Sequence, residues 1–332
     1  MGKVRVRTLS ETATAAVLGA SGIGRHHVKW LQAAGCAVRG FLGTSAESVA
    51  RTAAMLQQQY GFAGRGYTDP TALLDEVRPD LVSVCSPMQH HYAHVRACLQ
   101  AGCHVLCEKP LVLDRRLEQE ALLAQGRELV ALAAERGRLL AINTQYAAAA
   151  PHLQRMCEAA GVAGAPVTQF AMCMASRGRP GVSVYDRIWV DLCSHPISVL
   201  LALVPDGELI TSSVRSVIEH RTVETEFDYR AADGTLCRTR LITRNVPEGP
   251  IPRWFQLNGV QVEYEGRPDE AGVYATFLSA GGREVKVLDF MQESICRFAD
   301  AVRGRGTVLA GGAAGLRNLE LQLALVQGAD RR

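Results

Sequence analysis

Apolar residues recur along this chain in two different rhythms, and the rhythm changes near residue 145. Before that point, short apolar runs alternate with longer segments of helical spacing. "AAVLG" (15–19), "AVRGFLG" (37–43), "DLVSVCSP" (80–87), "HVLCE" (104–108) and "LLAIN" (139–143) read as strands. Between them, residues 28–35, 46–60, 90–101 and 114–136 show the three-and-four spacing of helices. Asp69-Pro70 reads as an N-cap followed by proline in the first helical turn. Strands alternating with helices of this length predict a parallel, doubly wound sheet.

After residue 145 the pattern predicts a helix over 151–160, a strand over 167–175 and a helix over 189–203. From Ile210 to Leu288 polar and apolar residues alternate, as in strands with one wet face. "VETEFDYRAADGTLCRTRLIT" (223–243) predicts a hairpin turning at Asp233-Gly234. Helices over 290–303 and 313–327 close the chain. The expected class is therefore an N-terminal α/β domain of Rossmann type and a C-terminal α+β domain with a large, mostly antiparallel open sheet. The expected boundaries are a tail at 1–13 and domains at 14–146 and 147–332.

Composition narrows the function without naming it. A length of 332 residues suits two domains. Net charge is only +3, so electrostatic steering towards nucleic acid is not expected. No apolar run reaches the roughly 18 residues of a membrane helix. The opening "MGKVRVRTLSETA" has no apolar core of a signal peptide and reads as a polar tail. None of the ten cysteines forms a C-x-x-C pair, which suggests thiols in a reducing cytoplasm. His90 and His94 have the i, i+4 spacing of metal ligands, but no third ligand follows, so no metal is expected.

"VLGASGIGRHH" places Gly19, Gly22 and Gly24 directly after a strand and before a helix. Such a turn offers backbone N–H groups to a pyrophosphate at a helix N-terminus. Gly19, Ser21, Gly22, Ile23 and Gly24 are accordingly the first candidates for holding a dinucleotide. His26 and His27 read as packing or surface residues. An acidic residue usually ends the second strand of an NAD site, on the ribose hydroxyls. Here Gly43, Thr44 and Ser45 stand in its place, and Glu47 follows later. A 2′-phosphate is not repelled there, and Thr44 and Ser45 can donate to it, so NADP is favoured slightly over NAD. The bland reading is that these residues begin a helix.

"VLCEKPLV" (105–112) ends an apolar strand on opposite charges and a proline. Of 36 basic residues only Lys3, Lys29, Lys109 and Lys286 are lysine. Arginine is always charged, whereas a desolvated lysine exchanges a proton near neutrality. Lys109 is therefore a candidate proton-transfer group, and the Lys109-Pro110 bond a candidate cis peptide.

The stretch 80–114, with Pro87, His91 and Glu108-Lys109-Pro110, resembles the oxidoreductase family of glucose–fructose oxidoreductase, inositol dehydrogenase and the rhizopine-catabolism protein. "WVDLCSHPISVLLAL" (189–203) resembles that family's D-x-x-x-H helix through Asp191 and His195. The resemblance implies that Lys109, Asp191 and His195 surround a substrate carbon facing the nicotinamide. It also implies cofactor contacts from Ser86, Pro87, His91 and Glu108. Either Lys109 or His195 transfers the proton, and the other then bonds to the substrate oxygen. Ser198 stands where the family often has Asp, which bears on substrate class. Tyr146, Tyr185, Arg187 and Trp254 are weaker pocket candidates, and the alanines of "YAAAAPHL" suggest a roomier pocket.

The reaction implied is hydride transfer between NAD(P) and a CH–OH or carbonyl carbon of a sugar, amino sugar or cyclitol. Imine or dihydrodiol chemistry and a non-catalytic NAD(P) sensor are the rivals. A dimer or tetramer formed through the C-terminal sheet is expected by the same resemblance.

Overall fold

The computed structural model describes residues 12–162, 164–177 and 184–331. The expected tail falls mostly outside them. Two compact units result. One runs up to Asn143 and takes in Ser294–Leu316; the other holds Thr144–Glu293 and the residues from Arg317 on.

In the first unit β1 (Thr14–Leu18), α1 (Gly24–Ala33), β2 (Ala37–Leu42), α2 (Ala46–Tyr60), β3 (Arg65–Tyr67) and α3 (Pro70–Val77) follow one another. Then come β4 (Leu81–Val84), α4 (His91–Gln100), β5 (His104–Glu108), α5 (Gln119–Glu135) and β6 (Leu140–Asn143). The six strands lie in the order β3-β2-β1-β4-β5-β6, with every pairing parallel. That order is the doubly wound arrangement the sequence pattern predicts, with its topological switch between β1 and β4. Every residue of β4 is buried, as is all of β5 after His104, because helices cover both faces.

Local chemistry sets the element ends. Asp69 Oδ1 accepts the Thr71 N–H at 2.9 Å and caps α3, whose second end falls at Arg78 in the left-handed region. Gly61, also left-handed, ends α2. Two elements of this unit differ from expectation. β3, only three residues long, carries too little pattern to read from sequence. α5 begins at Gln119 rather than Asp114. The Asp114 carboxylate takes both the N–H and the guanidinium of Arg116, and Leu117 N bonds to Asp114 O at 3.0 Å, so a closed turn occupies the start.

The second unit holds α6 (Ala150–Ala159), β7 (Gln169–Arg177), α7 (Val184–Leu192) and α8 (Ser194–Leu203). It continues with β8 (Glu208–Leu209), β9 (Arg215–Glu219), β10 (Thr222–Arg230), β11 (Leu236–Val246) and β12 (Arg253–Leu257). β13 (Val260–Pro268), β14 (Tyr274–Ala280) and β15 (Arg283–Val287) complete the run. The closing helices α9 (Phe290–Val302) and α10 (Gly312–Ala324) each begin in one unit and end in the other, and β16 (Asp330–Arg331) follows them.

The ten-stranded sheet runs β15-β14-β13-β12-β7-β11-β10-β9-β16, with β8 paired to β10. Only β7 with β11 and β9 with β16 pair in parallel. The predicted hairpin is β10–β11, closed by Ala231 N bonding to Thr235 O and by Gly234 at φ 88°. The wet face carries ion pairs, such as Arg240 with Glu224 and Glu226. The dry face supplies buried Val223, Phe227, Tyr229, Leu241, Phe255 and Val262.

Candidate active site

The glycine turn joins β1 to α1, and each glycine has its own steric reason. A Cβ on Gly19, at φ 89°, would stand 2.8 Å from the Cys85 carbonyl oxygen. A Cβ on Gly24 would stand 2.2 Å from the Gly19 carbonyl oxygen. Those two are needed by the fold itself. Gly22 is different: a Cβ there would meet nothing within 4 Å. The space beside it is open. Ser21 and Ile23 beside it are exposed, and α1 has no side-chain N-cap and no acidic residue in its first turn. An uncapped helix start behind an open glycine fits a pyrophosphate.

The end of β2 does not behave as the NADP reading expects. Ser48 N donates to Ser45 Oγ, while Ser48 Oγ accepts from Ser45 N at 3.0 Å and from Thr44 N at 3.2 Å. Thr44 Oγ1 also lies 3.3 Å from Ser48 Oγ. These hydroxyls form the capping box of α2. The bland reading of Thr44 and Ser45 thus describes their contacts here.

At the C-terminal edge of the same sheet, β5 ends at Glu108 opposite Asn143 of β6. Glu108 is buried and its Oε1 takes two bonds. His27 Nε2 donates at 3.0 Å and Asn143 Nδ2 at 2.5 Å. Because the carboxylate only accepts, His27 carries its proton on Nε2. Burial pushes the Glu108 carboxyl up, but the His27 bond and proximity, the Asn143 bond and the Lys109 charge outweigh it and hold the carboxyl at about 2. Glu108 is thus ionised, and Lys109, the next residue, is half-buried. The Lys109-Pro110 peptide is cis.

His27 is fully buried, not a surface residue. Its place was readable: Gly24, His27, Val28 and Leu31 share the inward face of α1 by helical spacing. His91 also lies inward, 1% exposed. Its Nδ1 is 2.8 Å from the Pro110 carbonyl oxygen and its Nε2 2.9 Å from that of Ser86. Both ring nitrogens are thereby directed at the protein's own backbone. Burial lowers the His91 pKa, with the two carbonyl bonds acting in the opposite direction. Ser86 is likewise nearly buried, and its Oγ lies 2.9 Å from His94 Nδ1. Burial, with His90 and His91 beside it, brings the His94 pKa down to about 4. Pro87 begins the exposed turn leading into α4.

In the second unit the expected Asp–His helix is interrupted. α7 ends at Leu192 and α8 begins at Ser194, because Pro196 has no N–H for the Leu192 carbonyl. Cys193 keeps right-handed helical angles, so Asp191 and His195 remain one turn apart. Three bonds to α10 fix this helix pair. Trp189 Nε1 donates to Gln322 O at 2.9 Å, Asn318 Nδ2 to Ser194 O at 2.8 Å and Ser194 Oγ to Gln322 Oε1 at 3.3 Å. Ser198 Oγ donates to His195 O at 2.7 Å. His195 is 8% exposed, and its ring centroid lies 4.8 Å from that of Tyr146. Tyr146 also packs on Tyr264 and Phe290, and Arg253 donates to its hydroxyl at 3.2 Å. Burial raises the Tyr146 hydroxyl pKa well above the usual range.

Asp191 is half-buried. Ala147 to Ala150 are packed in the core rather than lining open space. Trp254 is half-buried on β12, and the side chains of Tyr185 and Arg187 lie outside the described residues. Lys109 thus belongs to one unit, and Asp191 and His195 to the other. Among the described residues no group of three metal-ligating side chains occurs, no helix is long and apolar enough to cross a membrane, and no cysteine is disulfide-bonded.

Residues 13–144 match the model of an oxidoreductase family with an NAD-binding Rossmann fold. The chain is 37% identical over 131 residues to D-glucoside 3-dehydrogenase of Escherichia coli (strain K12), covering 39% of this chain and 35% of that one. It is 38% identical over 116 residues to UDP-N-acetylglucosamine 3-dehydrogenase of Acidithiobacillus ferrooxidans, 34% of each. The matched stretch thus spans about a third of the length of these relatives. Identity to 1,5-anhydro-D-fructose reductase of Ensifer adhaerens is 25% over 351 residues, 94% of this chain and 95% of the relative. The solved UDP-N-acetylglucosamine 3-dehydrogenase from A. ferrooxidans has the same fold over 97% of this chain and 99% of its own, with a TM-score of 0.72 and 23% identity. A 3-ketoreductase from Actinomadura kijaniata, solved with NADP, superposes with a TM-score of 0.70 at 21% identity over 96% of this chain and 98% of its own.

Proposed function

We propose that this protein is an NAD(P)-dependent oxidoreductase of a CH–OH carbon in a sugar, amino sugar or cyclitol, from the premise that residues 13–144 match the oxidoreductase family with an NAD-binding Rossmann fold. One observation carries the reading. A half-buried lysine stands at the C-terminal end of β5, on the same sheet edge as an open glycine turn at the switch between β1 and β4. The names of the relatives support a ring hydroxyl as the reacting group.

The bound nicotinamide supplies a hydride acceptor or donor. The chain supplies the rest. Backbone N–H groups at the start of α1 hold the pyrophosphate. Ionised Glu108 lies next to Lys109 in the chain and is held by His27 and Asn143. Lys109 takes the hydroxyl proton on oxidation and returns it on reduction. His195, with Asp191 one turn before it, bonds to the substrate oxygen or exchanges the proton in place of Lys109. The lack of a carboxylate at residues 43–45 supports NADP over NAD, although the Thr44 and Ser45 hydroxyls are already engaged with Ser48. A homodimer or homotetramer formed through the open sheet, in the cytoplasm, completes the proposal.

The test is NAD(P)H formation with a methyl glucoside, UDP-N-acetylglucosamine and inositol as substrates. Lys109→Met is expected to cut kcat by about 10²–10⁴-fold while nucleotide affinity stays within about twofold. Nucleotide binding with no turnover on any sugar in the wild type would favour the sensor reading instead. Tighter fluorescence-monitored binding of NADH than NADPH would reverse the nucleotide preference.

A further inference from the structure

Lys109 is the first residue past the ladder of β5, since the pairing with β6 ends at Glu108 opposite Asn143. The next residue, Pro110, has no N–H to offer a neighbour. Four rotatable bonds then separate the amine from a backbone that the sheet no longer holds. A proton-transfer group needs its position set closely, so something other than the ladder has to hold this segment.

Two buried imidazoles do so, one on each side. His27, on α1, donates to the Glu108 carboxylate at 3.0 Å, and Asn143 donates to the same oxygen. His91, on α4, reaches the Pro110 carbonyl at 2.8 Å and the Ser86 carbonyl at 2.9 Å. His91 therefore ties the residue after Lys109 to the turn that follows β4. Exposures of 0% and 1% leave neither ring able to meet a substrate. Neither histidine is an economical choice for packing alone. His27 Nδ1 is buried with no hydrogen-bond partner, and an apolar side chain would avoid that cost. Both nitrogens of His91 face carbonyls that only accept, so the neutral ring that burial favours donates to one of them and turns a lone pair towards the other.

We propose that His27 and His91 are positioning residues for Lys109: each buried imidazole holds one of the two residues flanking the amine, His27 through the Glu108 carboxylate and His91 through the Pro110 carbonyl. This rests on the reading above in which Lys109 handles the proton. Chain fluctuation at Glu108 or Pro110 swings the amine. The clamps on both sides confine that swing.

Competitive labelling with acetic anhydride, read by mass spectrometry over a range of pH, measures the amine directly and needs no known substrate. The chain has only four lysines, and Lys286, in the other unit, is the internal reference. In His27→Leu and in His91→Leu the Lys109 profile is expected to move, with a rate change of about threefold or more at fixed pH, as half a pKa unit would give. Lys286 keeps its wild-type profile. His27→Gln, which retains a donor, restores the Lys109 profile towards wild type. His91→Gln, whose amide reaches only one of the two carbonyls, falls between wild type and leucine. These glutamine variants carry the test if a leucine variant fails to fold. A Lys109 profile that superposes on wild type in a folded His27 or His91 variant overturns the proposal and leaves the histidines a purely structural role. Labelling is independent of turnover. A Lys109→Met variant with full activity would therefore sink the functional reading separately, without altering the labelling result.

Discussion

Lys109 stands at the end of a parallel strand among polar groups, while His195 stands in a helix among aromatic rings. Around Lys109 the holding contacts are directional: Glu108 takes bonds from His27 and Asn143, and Pro110 from His91. Around His195 ring packing is part of the environment: Tyr146 lies against its ring, and Tyr264 and Phe290 lie against Tyr146 in turn. A strand end has lost its ladder and needs polar bonds to fix it. A helix carries its own backbone bonds, so packing against a wall of rings helps to set where its side chains lie. Polar networks set direction, whereas ring packing sets volume.

The largest expected effect tests the wall. Tyr146→Ala removes a fully buried ring from the second unit and should cost about 3–5 kcal/mol, measured by denaturant unfolding. A loss below about 1 kcal/mol would mean that the ring cluster is not what holds His195.

Next come the glycines of the first unit. Gly24→Ala forces a Cβ against the Gly19 carbonyl and should destabilise by about 1–3 kcal/mol. Gly22→Ala meets no atom, so stability should stay within about 0.5 kcal/mol, while NAD(P)H binding weakens. Equal stability losses in the two variants would remove the distinction between a structural and a ligand-facing glycine.

Acid should then separate the units. Burial holds the pKa of both His94 and His104 at about 4, against an ordinary 6.5. Between these values the unfolded chain binds more protons than the folded one, so stability falls as pH falls from 6.5 towards 4. Glu108, held at about 2 against 4.5, adds a further loss below pH 4.5. All three lie in the first unit. The two histidines together should cost about 1–2 kcal/mol after solvent screening, read from melting curves against pH. A melting temperature flat from pH 6.5 to 4.5 contradicts this.

The smallest effect concerns the end of β2. Ser45→Ala removes half of the α2 capping box and should cost about 1 kcal/mol. If NADPH affinity falls while NADH affinity does not, the Ser45 hydroxyl leaves its cap to meet a 2′-phosphate.

What the residues alone determined is local in origin. Periodicity distinguished parallel from antiparallel halves, because covered strands are apolar throughout and half-wet strands alternate. The glycine turn and the Asp191–His195 spacing were legible for the same reason: each is a short-range pattern. The break at Cys193 departs from the single helix expected over 189–203, although Pro196 is a local signal for it. Only the tertiary structure decided what the buried histidines hold. Gly24, His27 and Val28 point inward by spacing, but that the inward side meets Glu108, 81 residues on, depends on the order of strands. The return of Ser294–Leu316 to the first unit is equally non-local. Ser45 and Thr44 look the same in sequence whether they cap a helix or await a phosphate, because a hydroxyl serves either partner and only packing chooses between them.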